Sequence, residues 1–153
     1  MIIVKTKRLT VGVSSDEEIR ALIEAADEEL RVAYREMAAG ADAHPTERHW
    51  YAPWIIRLSG GEAVGELCFR GLSPDGMLEI GYGIDDGYRG RGYAAEAVAA
   101  VTEWAARQPG VSRIEAETAP DNAASQRVLT KAGFVPLGVL GEEGPRFVWR
   151  DPQ

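Results

Sequence analysis

Leu78-Glu79-Ile80-Gly81-Tyr82-Gly83-Ile84-Asp85-Asp86-Gly87-Tyr88-Arg89-Gly90-Arg91-Gly92-Tyr93-Ala94-Ala95 reads as a strand, a glycine-punctuated loop and the start of a helix. Leu78, Ile80, Tyr82 and Ile84 alternate onto one face of the strand. The opposite face carries Glu79, Gly81 and Gly83, so most of it is bare backbone. Glycine weakens a strand interior, and it is tolerated where something must approach the main chain closely. Gly87, Gly90 and Gly92 let the loop turn tightly, and the helix behind it offers unpaired N–H groups at its positive dipole end. Arg89 and Arg91 add charge at the same spot. Together these features make a phosphate cradle beside a ligand-accessible strand.

Outward from that segment the chain divides into short elements. Residues 2–13 read as a first strand. Ser14 and Ser15 each have a Glu three residues on, a doubled capping-box signal for a helix with Ile19, Leu22, Ile23 and Ala26 on its apolar face. Leu30, Ala33, Tyr34 and Met37 continue at helical spacing to about Gly40, and residues 41–47 read as loop. Residues 54–58 and 63–70 form a hairpin about Ser59–Glu62, and Ser73-Pro74-Asp75-Gly76 turns the chain into the central strand, giving three consecutive antiparallel strands. After the cradle, Ala94, Ala97, Val98, Val101, Trp104 and Ala105 form a helical stripe that Pro109-Gly110 ends. A strand at 112–118, a short helix capped by Asp121 or Asn122 and closed by Gly133, and a strand pair at 134–140 and 146–150 complete the order.

Arg89-Gly90-Arg91-Gly92-Tyr93-Ala94 fits the Arg/Gln-x-x-Gly-x-Gly/Ala signature of the GCN5-related N-acetyltransferase (GNAT) superfamily, which binds acetyl-coenzyme A. Asn122 and Ser125, followed by Val128, Lys131 and Gly133-Phe134, resemble the second half of that signature in its RimJ/RimL-like branch. The resemblance covers roughly residues 50–137 and implies an α/β fold over 1–153 as a single domain. That fold is a mixed, mostly antiparallel sheet of six to seven strands, with helices on both faces and a splayed central strand pair. It implies that Tyr82, Gly83 and Ile84 flank the pantetheine arm and that a backbone N–H near Gly83 or Ile84 polarises the thioester. Arg89, Gly90, Arg91, Gly92, Tyr93 and Ala94 would hold the pyrophosphate, with Asn122 and Ser125 at the pantetheine and sulfur end.

The implied reaction moves acetyl from acetyl-coenzyme A to a primary amine, on a protein N-terminus or a small molecule, in a ternary complex. The sequence departs from the family at the usual acid, because the position seven residues after Asn122 is Leu129, not Tyr. Ser125 is then the candidate acid, unless its hydroxyl only bonds its own helix. For the base, Glu79 lies on the bare face of the central strand, with Glu117 on the adjoining strand as the second choice and Glu66, Glu142 and Glu143 behind them. His44 and His49 fall in loop, and Cys68 reads as a small buried residue. Trp50, Tyr51 and Trp54 read as core or as a wall of the acceptor site. Without an acid the alternative is a non-catalytic acetyl-coenzyme A sensor or subunit.

Other classes fit poorly. Gly90-Arg91-Gly92-Tyr93-Ala94-Ala95 satisfies a relaxed dinucleotide fingerprint, but it does not follow its strand closely and too little chain remains for a second half-sheet. With one cysteine and two histidines in 153 residues, no disulfide or structural metal is expected. The net charge of −7 argues against a nucleic-acid face and permits a cationic substrate. No apolar run reaches the roughly 20 residues of a membrane span, and the N-terminal one is too short for a signal peptide. A cytoplasmic protein without a membrane partner is the expectation, with a homodimer the commonest assembly.

Overall fold

The computed structural model describes residues 2–151. Its chain order is β1 (Ile3–Lys5), β2 (Leu9–Val13), α1 (Asp16–Ala25), α2 (Glu28–Ala43), β3 (Trp54–Leu58), β4 (Ala63–Phe69), β5 (Met77–Ile84), α3 (Tyr93–Ala106), β6 (Arg113–Glu117), α4 (Ala123–Lys131), β7 (Phe134–Leu140) and β8 (Pro145–Trp149). Eight strands form one sheet in the order β1-β2-β3-β4-β5-β6-β8-β7. Neighbours are antiparallel except β5 and β6, which run parallel through the α3 crossover.

The sheet has eight strands, not the six to seven expected, because residues 2–13 are two strands and not one. Thr6, Lys7 and Arg8 turn the chain, with Thr6 Oγ1 accepting from Leu9 N at 3.0 Å, and β1 folds back on β2. The capping box forms only at Ser15, whose hydroxyl accepts from Glu18 N while Glu18 accepts from Ser15 N. Ser14 is instead buried and donates to Pro53 O. The second helix runs beyond Gly40 to Ala43, and Gly40 is needed for contact: a Cβ there would stand 2.9 Å from the Tyr51 ring. A 3-10 segment, Pro45–Trp50, replaces much of the expected loop.

Register separates the two faces of the sheet. Glu66 pairs with Gly83 and Leu67 with Tyr82, so Glu66 and the bare glycines share one face, with Leu67 and Tyr82 on the other. Tyr34 of α2 bonds Glu66, and Glu18 of α1 bonds Arg57, which puts these helices on the glycine face. Tyr82 reaches Ser125 of α4, and α3 lies beside α4 on the opposite face. There Trp54, Ile56, Leu67, Phe69, Leu78 and Ile80 bury against Ala97, Val98, Val101 and Leu129. Trp50 and Trp54 are core residues that meet Trp104 in tilted and edge-on contacts, whereas Tyr51 is partly exposed and stacks on His44.

Leu78 is fully buried on the segment of β5 that pairs with β6. Leu78→Ala is expected to cost about 2–5 kcal/mol, because the cavity lies where the sheet cannot collapse. Urea unfolding should show this as a lowered midpoint with an unchanged slope.

Candidate functional site

The central strand changes partners along its length. β5 pairs with β6 only through Met77, Leu78 and Glu79, and with β4 from Ile80 to Ile84. Beyond Glu79 and Glu115 the parallel pair therefore opens, as expected of a splayed central pair. Arg70 N donates to Glu79 O, and Asp85 N donates to Val64 O. In an antiparallel ladder these bonds alternate, so Gly81 and Gly83 turn their main-chain groups to β4, while Tyr82 and Ile84 turn theirs to the opening. Of the two N–H groups anticipated near Gly83 and Ile84, that of Ile84 faces the opening and that of Gly83 faces β4. The Ile84 carbonyl already accepts from Arg89 Nε at 3.1 Å.

At the top of β5 the loop folds as its glycines require. Gly90 and Gly92 have φ of +77° and +81°, the left-handed region that costs other residues roughly 1–2 kcal/mol. Gly92 caps α3 with no side-chain hydrogen bond, so the first N–H groups of Tyr93 and Ala94 are not taken by a capping side chain. No atom lies within 4 Å of a Cβ built at Gly83, Gly87 or Gly90, so the loop and strand end offer open space. Arg89 and Arg91 project from it, the first paired with Asp86 at 3.1 Å and the second over the Tyr88 ring. Arg8 and Glu96 also stand here, and neither was signalled by a motif: their proximity depends on the β1–β2 turn, which local periodicity did not reveal.

Across the opening, Asn122 and Ser125 come together at the start of α4. Asn122 Oδ1 accepts from Ser125 N at 3.0 Å, which identifies Asn122 as the cap. The Ser125 hydroxyl does not bond its own helix. It lies 2.7 Å from the Tyr82 hydroxyl, which also donates to Ser125 O. Burial raises the Tyr82 pKa against the opposing Ser125 bond, so the phenol is protonated at neutral pH. Leu129, the departure from the family, is fully buried.

The expected bases occupy different settings. Glu79 and Glu117 are brought together by Arg146, which is only 18% exposed and reaches Glu79 at 2.9 Å and Glu117 at 2.6 Å. It also binds Glu115, while Arg70 pairs with Glu79 and Arg113 with Glu115. Glu117 accepts from Glu143 N at 2.5 Å as well, and a Cβ at Gly141 would strike its carboxylate, so the 141–144 loop is fastened to it. The Glu143 amide, against an opposing burial effect and with help from Arg146, holds the Glu117 carboxyl below its ordinary range. Among the described residues Glu66 has no arginine partner. It accepts from Tyr34 at 2.5 Å and sits across from Gly83 in a cleft of about 260 Å³ with Glu18, Arg57 and Asp85. Burial raises its pKa, partly countered by Tyr34 and reinforced by Asp85. His49 is an edge contact of Trp50 and Trp104, Cys68 is partly buried beside Gly81, and Glu142 is exposed.

A carboxyl with a lowered folded pKa contributes stability above its unfolded pKa of about 4.3 and loses that contribution as pH falls through the folded value. The stability gap between wild type and Glu117→Gln should therefore be full above the unfolded pKa of about 4.3 and shrink as pH falls below it. Urea titrations at several pH values read it, and a gap independent of pH would contradict the bonding described.

Among the described residues no His, Cys, Asp and Glu side chains group as a metal site, and no helix is long and apolar enough to cross a membrane. The family model for the acetyltransferase (GNAT) domain matches residues 7–135. The uncharacterized N-acetyltransferase YjdG of Bacillus subtilis is 41% identical over 85 residues, 54% of this chain and 50% of that protein. L-2,4-diaminobutyric acid acetyltransferase of Streptomyces coelicolor is 38% identical over 78 residues, 50% of this chain and 46% of its own. The chain thus spans about half the length of these relatives. In structure it is similar to an acetyltransferase from Agrobacterium tumefaciens, with TM-score 0.77, 19% identity and coverage of 99% of this chain and 95% of that one. RimL, a ribosomal L7/L12 alpha-N-protein acetyltransferase solved with coenzyme A, aligns at TM-score 0.75 and 19% identity over 97% of this chain and 96% of its own. A family model covering most of the chain, on the fold these structures share, makes the protein a member of the acetyltransferase (GNAT) domain family.

Proposed function

We propose that the protein is a single-domain N-acetyltransferase that transfers acetyl from acetyl-coenzyme A to a primary amine. The opening between β5 and β6 carries this reading, because it sets an unpaired strand edge beside a glycine cradle and a helix N-terminus. The residues fit the cosubstrate. The N–H groups of the Gly90–Ala94 segment suit a pyrophosphate, with Arg89 and Arg91 adding charge. Tyr82, Gly83 and Ile84 suit the pantetheine arm, with Asn122 and Ser125 facing it. An Ile84 N–H held in place donates to the thioester oxygen as negative charge builds there.

A proton must leave the amine and another must reach the departing thiolate. Glu66 is the carboxylate best suited to take the first: it shares the face of the bare glycines, has no arginine to stabilise its charge, and has a raised pKa. Glu79 and Glu117, held by Arg146, position the strand ends and the 141–144 loop on this reading. Ser125 delivers the second proton, and the Tyr82 phenol returns it by turning its one O–H from Ser125 O to Ser125 Oγ, 2.7 Å away. Relatives named for a small diamino acid and for a protein N-terminus support a primary amine in general, and the RimJ/RimL-like branch in particular. A cytoplasmic enzyme suits a chain with one cysteine, and a second copy could be met by β7, an edge strand with exposed Val135, Val139 and Leu140.

The buried Leu129 in place of an acid favours one other reading, a non-catalytic acetyl-coenzyme A sensor or subunit. Calorimetry with coenzyme A and acetyl-coenzyme A, followed by an amine panel, separates the two. Binding without acetylation of any amine supports the sensor, and no binding by folded wild type removes both. Gly92→Trp should abolish binding while circular dichroism stays native. In the enzyme, Glu66→Gln should lower kcat by about 10²–10⁴ with coenzyme A affinity unchanged. A smaller loss there than in Glu79→Gln would return the base to the central strand.

A further inference from the structure

Arg8, in the turn between β1 and β2, is tied to the glycine loop by contacts that the loop signature does not contain. Its Nε donates to Glu96 Oε1 at 2.7 Å and its main-chain N to Glu96 Oε2 at 3.0 Å. Thr6 Oγ1 donates to the same Oε2 at 2.5 Å. The remaining reach of the guanidinium goes to the loop itself. Nη1 donates to Arg91 O at 2.9 Å, across 83 residues of sequence. The guanidinium carbon lies 4.7 Å from the centre of the Tyr93 ring, and Nη2 would stand 3.3 Å from a Cβ on Gly92.

We infer that Arg8 is a positioning residue for the phosphate-binding loop, an inference that rests on the acetyl-coenzyme A reading above. Two physical effects act together. A trans peptide points its C=O and the next N–H in opposite directions, so holding the Arg91 carbonyl on Arg8 fixes the Gly92 N–H facing away, available to an anion. Glu96 is the second. A carboxylate in the first turn of α3 suits the helix dipole, but it also repels a phosphate docking on the same helix end. Arg8 neutralises that charge and keeps it turned toward the β1–β2 turn. Burial works against ionisation of Glu96, yet Thr6 and Arg8 together hold its carboxyl below the ordinary range. Arg8 therefore both aims a donor and removes a repulsion without being a member of the motif.

The test uses full-length wild type, Arg8→Gln, Arg8→Lys and the double variant Arg8→Gln/Glu96→Gln. Calorimetry with coenzyme A gives affinity, and amide hydrogen exchange over residues 89–96 of the ligand-free protein gives loop order. Arg8→Gln should weaken coenzyme A about tenfold, the scale of a lost charge-assisted contact, and speed exchange across the loop. Arg8→Lys should lie between it and wild type, since one ammonium cannot span Glu96 and the Arg91 carbonyl. The double variant should recover part of the affinity, because the repelling carboxylate is gone, while its exchange stays fast. A merely structural bridge would not give that recovery. Unchanged affinity in folded Arg8→Gln, or in Arg8→Lys should Arg8→Gln not fold, overturns the inference, and so does a double variant no better than Arg8→Gln. Wild type that binds no coenzyme A is a different result: it refutes the cofactor reading, and the role of Arg8 falls with it.

Discussion

Backbone hydrogen bonding in β5 is the constraint on which the site depends. The strand is paired with β6 from Met77 to Glu79, then only with β4 from Ile80 to Ile84. Unpaired main-chain groups are tolerated where a ligand or solvent can satisfy them, so the free edge at Tyr82 and Ile84 is a place for another molecule. Core packing supplies the rigidity: Leu78 and Ile80 lock into the core under α3, and the loop that follows begins from a fixed point. Opening the sheet at its other end would have left the glycine loop without a strand edge beside it.

Charge is arranged differently on the two sides of that opening. On the glycine face, Arg146 gathers Glu79, Glu115 and Glu117, and Arg70 and Arg113 complete the set, so six charged groups cancel among themselves. Such a network stiffens the ends of β5, β6 and β8 and pins the 141–144 loop, and within it Glu117 becomes a poorer proton acceptor. Glu66 is the exception, bonded to a phenol and not to a cation. Toward the loop the charges are Arg8, Arg89 and Arg91 against Glu96, Asp86 and Asp85. There the basic groups border the helix N-terminus where an anion would dock.

Much of this could be read before the fold was known. Alternation in Leu78–Ile84 identified the buried and bare faces of the central strand, because a period of two leaves each side chain only one side to occupy. The positive φ at Gly90 and Gly92 is what the glycine spacing demanded. The doubled serine signal was half informative: both residues fit the capping pattern locally, and the Pro53 carbonyl decided which one was used. The N-terminal hairpin was missed because Thr6, Lys7 and Arg8 contain no glycine or proline, and the turn is held by a side-chain bond to Leu9 N.

The sequence by itself determined the order of elements after the N-terminal hairpin, the glycine loop and the arginines within it, since these follow from periodicity and backbone sterics acting over a few residues. Only the tertiary structure decided how those polar residues are used. Glu79, Glu115, Glu117 and Arg146 meet because parallel and antiparallel pairing place β5, β6 and β8 side by side, and Arg8 meets Glu96 because β1 folds back on β2. Whether a carboxylate is a base, a brace or a cap depends on which cation or amide stands within about 3 Å of it, and that distance is set by strands far apart in the chain.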